Sequence, residues 1–434
     1  EAHAWLDSNI RDGAKFRHAV GNNFQPGPAM DAVSYMDWLA SQVGDPALSR
    51  RLTDQAAQTR GLIPISQYSF SAIGHIRDPG ASLAYGGVEE NMASARAQAE
   101  AELARFSTPA TVLYQPTPGR TDLGKTHWSR EANGLAAAPI ATLLDHTLFS
   151  GDTNLIHQAL LQVRALSKFH ETVPRGAQTW EVPLHTPDIL ASAHLVHLYT
   201  RAFELTGDQT FLDEARYWAW TGVPFLYLTS TTGKPVGLYS TIPVLGATEF
   251  VAPNWMGLPV QWCGLVYADA LRRLARNDTS GPWLKLADGI TASSIQQIHP
   301  ESQRDKQGLL PDSYDLINQT QNPVPINPAT LMSQALPYYG AAPLYDFHVF
   351  RRHGIIVQAP GPISDAVESD KDVRFHVSSQ IKPPWRVLIT SIAGGPAPNI
   401  TDFQPSLSPG SSSESRGNRI IITLKAPASL RWIK

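Results

Sequence analysis

The sequence predicts a mainly α-helical protein made of repeated helical hairpins, followed by a small antiparallel β-sandwich. Two observations carry this expectation. A short turn motif recurs at long intervals along most of the chain. After about residue 345 the pattern changes to short β-branched stretches separated by Pro, Gly and Ser clusters.

The turn motif is "VGDPALSRRL" (43–52), "SGDTNLIHQA" (150–159) and "TGDQTFLDEA" (206–215), with a looser copy in "NDTSGPWLKLA" (277–287). In the first three, an apolar residue follows the Gly by four positions: Leu48, Leu155 and Phe211. Trp283 takes that place in the fourth. In the last three, an Ala comes one helical turn later: Ala159, Ala215 and Ala287. A Gly in the left-handed conformation ends one helix. The Asp, or a nearby Thr or Ser, accepts from the free amides that open the next. The apolar residue and the Ala then share the face turned to the partner helix.

Leu48 to Leu155 is 107 residues, Leu155 to Phe211 is 56 and Phe211 to Trp283 is 72. The first gap holds two units, and the long helical pattern "VEENMASARAQAEAELARF" (88–106) falls where the missing unit belongs. Hairpins at such a period stack into an array or close into a ring. First helices are expected over 29–43, 66–77, 130–149, 187–205, 258–276 and 327–337. Second helices are expected over 47–58, 88–106, 152–171, 208–220 and 282–298. That gives five hairpins and one extra helix. The turns within hairpins are short; the links between them (107–129, 172–186, 221–257 and 299–326) are long. Antiparallel hairpins put all the long links on one face, and long ordered links in a compact domain are usually functional.

In the C-terminal part, "FHVFRRHGIIVQA", "DVRFHVSS", "WRVLITSI" and "NRIIITLKAPASLRWIK" read as strands of a sandwich of about ninety residues. The Ser-rich stretch 406–416 reads as a solvated hairpin loop, and the domains divide at 1–344 and 345–434.

Hairpins at this period followed by a sandwich resemble the six-hairpin glycosidase superfamily, the (α/α)6 toroids, an architecture that several polysaccharide lyases share. The resemblance covers nearly the whole chain and is architectural. It implies a saccharide substrate and a site in the cleft formed by the long links and the ends of the inner helices. It does not fix the reaction.

Composition narrows the partners. The formal net charge is −3, so no global field favours nucleic acid or an anionic membrane. No apolar run approaches the ~20 residues that span a bilayer. The single cysteine, Cys263, leaves neither an intrachain disulfide nor a cysteine-rich metal cluster. His194 and His197 lie three apart on one helix without a matched carboxylate motif and read as packed helix residues. No metal or cofactor is expected. The eleven Trp and thirteen Tyr suit a core, and they also suit stacking on pyranose faces. The chain begins at Glu1 without an initiator Met or a signal peptide, as a processed form or a fragment would. A polysaccharide substrate favours an exported protein, secreted or periplasmic.

The long links carry the candidate chemistry. "GKTHWSREANG" (124–134) offers His127, Trp128 and Arg130. "QTWEVPLHTPD" (178–188) offers Trp180, Glu181, His185 and Asp188. The stretch 237–264 offers Tyr239, Glu249, Asn254, Trp255 and Trp262, and "GLLPDSYDL" (308–316) offers Asp312. Glycoside hydrolysis needs two carboxyl groups across a cleft, one protonated and one ionised. Partial desolvation beside tryptophans raises the acid's pKa. Glu181 beside Trp180, Glu249 near Trp255, and Asp312 are the expected catalytic carboxyls. Trp180, His185, Asp188, Trp128, His127, Arg130, Tyr239, Asn254, Trp255 and Trp262 are the expected substrate contacts. Each has a plainer reading: Glu181 as a salt bridge to Arg130 or Arg175, Glu249 as a solvated loop carboxylate, Asp312 as a turn residue. His185 could simply bond the loop backbone. "TPDIL" reads as a helix start with Thr186 as cap and Asp188 in the first turn, and the tryptophans as core.

Three functions compete. The first is a glycoside hydrolase with a carboxyl pair. The second is a lyase eliminating across a uronic-acid sugar, with Tyr239, His185, Asn254, His127 and Arg130 as its residues. The third is a non-catalytic saccharide-binding protein.

Overall fold

The computed structural model describes residues 1–21, 24–125, 129–247, 251, 255–392 and 411–433. Twelve α-helices are present among them: α1 (Ala2–Leu6), α2 (Met30–Gln42), α3 (Pro46–Arg60), α4 (Ala81–Tyr85), α5 (Val88–Leu103), α6 (Asn133–Ser150), α7 (Thr153–Ala165), α8 (Ile189–Thr206), α9 (Gln209–Gly222), α10 (Gln261–Ala275), α11 (Trp283–Gln297) and α12 (Pro328–Tyr338). Helices α2, α6, α8, α10 and α12 form the inner wall of a closed ring. Helix α6 packs on α8, α8 on α10, α10 on α12 and α12 on α2. Helices α3, α5, α7, α9 and α11 lie outside. This is a toroid of helical hairpins.

The expected turn chemistry is complete in two of the Gly-Asp copies, whereas in the first α2 ends at Val43 (φ −77°) and Gly44 is not left-handed. Gly151 (φ +66°) and Gly207 (φ +74°) close α6 and α8 in the left-handed conformation. Asp45, Asp152 and Asp208 cap α3, α7 and α9, accepting from Ala47 N (2.9 Å), Asn154 N (3.1 Å) and Thr210 N (3.1 Å). In the looser fourth copy Asp278 accepts from Ser280 N (3.1 Å) and from the Trp283 indole (2.6 Å), fixing the start of α11. Ala159, Ala215 and Ala287 are fully buried, so the hairpins pack closely where their side chains are smallest.

One inner element departs from expectation. Residues 66–77 are not a helix. A short 3-10 turn at Ile65–Gln67 leads into an irregular strap that continues to α4. Pro64, Gly74 and the Pro79-Gly80 pair interrupt the pattern, and neighbouring helices satisfy the backbone instead. Asp31 Oδ2 accepts from Ile73 N (3.0 Å) and Gly74 N (2.8 Å), and Thr330 Oγ1 accepts from His75 N (3.0 Å). The strap thus takes the place of an inner helix and turns His75 into the ring.

The N-terminal segment closes the ring. The Trp5 indole donates to Met332 Sδ (2.9 Å), Asn9 N to Asp305 O (2.8 Å) and Val20 N to Pro325 O (3.0 Å); Asn327 N donates to His18 O (2.9 Å). Two short strand pairs, β1 (Arg11–Asp12) with β2 (Lys15–Phe16) and β3 (Tyr314–Asp315) with β4 (Thr320–Gln321), decorate this seam.

The C-terminal part is a β-sandwich of β5 (Asp346–Phe350), β6 (Ile355–Ala359), β7 (Ile363–Glu368), β8 (Asp372–Val377), β9 (Trp385–Ser391), β10 (Ser412–Arg416), β11 (Arg419–Leu424) and β12 (Ala428–Ile433). One sheet runs β10-β11-β9-β6-β5 and the other β12-β8-β7, with every pairing antiparallel. Residues 412–416, expected as loop, are an edge strand. Backbone pairing to β11 fixes them, although their side chains are polar. The rest of that Ser-rich stretch, up to residue 410, lies outside the described residues.

The sandwich packs on the short-turn face of the ring. Phe347, Val349 and Ile356 belong to the ring's own core. Arg276 pairs with Asp346 through two nitrogens (2.8 and 3.2 Å), and Asn418 Nδ2 donates to Gly151 O (3.1 Å). Beside this junction, at the C-terminal ends of the inner helices, an ion network crosses the base of the bore. Asp145 meets Arg201 (3.0 Å) and His197 (3.1 Å), and Glu204 meets Arg273 (2.8 Å). The opposite, long-link face is left to solvent. No helix among the described residues is long and apolar enough to cross a membrane.

Candidate active site

Two places on the long-link face bring expected site residues together. The first is the mouth of the bore. The loop after α11 carries Asp312, whose backbone N donates to Val324 O (2.8 Å). The Trp255 indole donates to Asp312 Oδ2 at 2.8 Å. Trp262, in the first turn of α10, lies beside this carboxyl and favours its ionised form. The two indoles meet edge to face at 5.9 Å, and they are only 4% and 6% exposed. Burial pushes the Asp312 carboxyl above its ordinary value, against the two indoles and the nearby His18, which favour the ionised form. Asp312 is half-buried, so one flank of a desolvated acid still reaches solvent.

Sequence reasoning missed two members of this group. His75 stacks flat on Trp262, with ring centroids 4.0 Å apart and 15° between planes, and His18 packs on His75 at 4.5 Å. His18 Nδ1 lies 2.7 Å from Ile73 O, which fixes that nitrogen as the donor and turns Nε2 away from the strap. Burial holds the His75 imidazole well below its ordinary value, so it is neutral at pH 7. Neither residue sits on a periodic element. One precedes α2 and the other lies on the irregular strap, so no sequence pattern pointed to them.

The second place is a cleft of about 1030 Å³ between the link that follows α5 and the link that precedes α8. Trp180 and Glu181 line it, with Tyr114 and Arg120 opposite and Val251 at one end. Trp180 is 42% exposed, unlike the two indoles at the mouth. Glu181 is half-buried, and its carbonyl accepts from Val251 N (2.9 Å). Val251 and Trp255 belong to one loop. Four residues of chain span at most ~14 Å, so a single loop ties the Glu181 wall to the Asp312 clasp.

The other expected residues are placed as follows. Asp188 is fully buried and is the N-cap of α8. Its oxygens accept from Ala191 N (2.8 Å) and Ala177 N (2.9 Å), and burial pushes the carboxyl up to about 6. The helix start expected with Thr186 as cap therefore has Asp188 in that role, because its carboxylate can serve two amides at once. Tyr239 takes φ +59° and lays its ring on α11 against Gly289, where a Cβ would come within 2.5 Å. The Arg130 guanidinium donates to Tyr114 O. His185 is half-buried in the loop between Glu181 and Asp188. Cys263 is fully buried beside Gln178, and burial with the charges of Asp312 and Asp188 pushes its thiol well up. Of the helical pair, His197 contacts Asp145 at the base of the bore, whereas burial lowers His194 to about 4. His127, Trp128, Glu249 and Asn254 lie outside the described residues. Among the described residues no cluster of three or more His, Cys, Asp or Glu is placed to hold a metal ion.

No family model matches the chain, and no curated relative matches it by sequence. Solved structures do resemble it. An unsaturated glucuronyl hydrolase specific for heparin is 14% identical, with 78% of this chain and 94% of that chain covered and a TM-score of 0.45. An unsaturated glucuronyl hydrolase from Bacillus sp. GL1, responsible for degradation of glycosaminoglycan, is 10% identical, with 77% and 94% covered and a TM-score of 0.48. A family 76 glycoside hydrolase (mannosidase) from Bacteroides thetaiotaomicron is 12% identical, with 78% and 96% covered and a TM-score of 0.45. At this level of likeness no residue role and no substrate passes to this chain.

Proposed function

We propose that this protein is a carbohydrate-active enzyme, a glycoside hydrolase in which Asp312 is the general acid and Glu181 the second carboxyl. One observation carries the reading: a carboxyl at the mouth of the bore, desolvated, bonded by the Trp255 indole and flanked by that of Trp262. A carboxyl raised in this way holds its proton more tightly than an ordinary one and can deliver it to a glycosidic oxygen. Glu181, on the far wall of the same loop system, supplies the ionised partner that activates water or attacks the anomeric carbon. Trp180, the exposed indole in the cleft, is the stacking platform for a sugar ring. Trp255 and Trp262 shape the acid's surroundings and are too buried to serve as platforms.

The test is to incubate the purified protein with neutral and uronic-acid oligosaccharides, following reducing ends and the ultraviolet absorbance of unsaturated products together. Hydrolysis gives reducing ends alone, and Asp312→Asn and Glu181→Gln each abolish most of the rate. Absorbance appearing with the reducing ends means elimination and sinks the carboxyl-pair mechanism. Sugar binding without turnover on every substrate makes the protein a binding module.

A further inference from the structure

Far from the mouth, at the junction of ring and sandwich, a notch of about 350 Å³ opens between α3, the end of α4 and the loop that enters β9. Three cationic side chains line it: Arg60, Lys382 and Arg386. One carboxylate faces them, that of Asp37. Asp37 already accepts from the Tyr85 hydroxyl (2.8 Å). None of the three cations forms an ion pair with a described acidic side chain. The notch therefore carries two positive charges in excess, on a chain whose net charge is −3.

Two of the cations, Arg386 and Arg60, are held in place by the fold. The Arg386 guanidinium lies against Gly86 (3.6 Å from a Cβ built there) and bonds the carbonyls of Ala84 (3.4 Å) and Pro384 (3.3 Å). Arg60 sits over the Tyr85 ring at 5.0 Å. Long carbonyl contacts leave the other donors of the Arg386 fork open to an acceptor in the notch. Burial also pulls its pKa down, so this half-buried cation bears a desolvation cost that no carboxylate offsets. Planar guanidinium forks beside an ammonium match the oxygens of a carboxylate, sulfate or phosphate group.

We propose that this notch is an oxyanion-binding site, taking a sulfate, phosphate or carboxylate group, separate from the candidate active site and independent of its chemistry. A free ion and a group borne on a polymer share that chemistry, and the test separates them.

Calorimetry at low ionic strength on the whole protein would use inorganic phosphate, inorganic sulfate, dextran sulfate and uncharged dextran. Saturable binding of phosphate or sulfate is expected, weakened at least about tenfold in Arg386→Gln and in Arg60→Gln, the loss of a charge-assisted contact. The exposed Lys382→Gln gives a smaller loss and guards against misfolding of the half-buried variants, whose circular dichroism melts are compared with the parent. Dextran sulfate binding tighter than free sulfate, with no binding of dextran, assigns the site to a polymer-borne group. Equal affinity per sulfate assigns it to small ions. Absence of binding to all three anions, or affinity unchanged in all three variants, overturns the proposal.

Discussion

The Trp255 indole N–H points at Asp312 Oδ2 across 2.8 Å, and this bond works against the burial around it. Burial favours the neutral carboxyl; the indole favours the carboxylate. Trp255→Phe removes the donor and keeps the apolar bulk, so the Asp312 carboxyl rises further. For a general acid the rate falls as the proton leaves, so the alkaline limb of the pH–rate profile moves to higher pH. Asp312→Asn should cost about 10²–10⁴-fold in kcat. An unmoved alkaline limb in Trp255→Phe would show that another group sets it.

Trp180 should act through binding alone. Stacking of an exposed indole is worth ~0.5–1.5 kcal/mol beyond its area, so Trp180→Ala should raise KM by about two- to tenfold and leave kcat near the parent value. Steady-state kinetics on one oligosaccharide separates the two constants. A fall in kcat with KM unchanged would move Trp180 from platform to catalytic surroundings.

The base of the bore predicts a pH-dependent stability. Burial opposes ionisation of Asp145, but His197 and Arg201 outweigh it and hold the carboxyl well below the usual range. A depressed carboxyl contributes stability that is complete above its unfolded pKa, ~3.9, and is lost as pH falls towards the folded value. Arg201 is 7% exposed and Asp145 34%. Asp145→Asn should therefore cost about 2–3 kcal/mol at pH 7, less than the ~3–5 of a fully buried pair because solvent screens the acid. Denaturant melts of parent and variant should differ most at neutral pH and converge below about pH 4. A constant gap down to pH 2 would assign the loss to packing.

Gly151 joins ring and sandwich. It closes α6 at φ +66°, and a Cβ there would stand 2.3 Å from Thr390 Cγ2 on β9. Gly151→Ala combines a left-handed alanine with that clash and should cost about 1–3 kcal/mol. Gly207→Ala meets the same backbone strain, but its new Cβ comes only to 3.1 Å from the movable Arg351 side chain. The difference between the two thermal shifts isolates the contact with the sandwich.

The helices were legible because their turns carry chemistry. Gly151-Asp152 and Gly207-Asp208 announce a left-handed stop and a side-chain cap within two residues. The strap at 66–77 was misread because Asp31 and Thr330, held by other helices, satisfy its backbone, and nothing local records that. At the candidate site, the pattern singled out Asp312, Trp255 and Trp262 individually, but their coming together is a long-range event. His18 and His75 were out of reach for the same reason. Each lies on irregular chain, and only closure of the ring brings His75 onto Trp262 and His18 onto His75.

That closure has a consequence for synthesis. Trp5, Asn9 and Val20 take their partners from residues 305–332. A ribosome adding ~5–20 residues per second needs about 15–60 s to travel from one group to the other. For that interval the segment that holds these residues has only part of its seat, the contacts of Trp5 with Phe16 and with Tyr35 of α2. Through that interval the flank of this segment that faces residues 305–332 stays unmated, so the ring cannot close until the far half of the chain has been made.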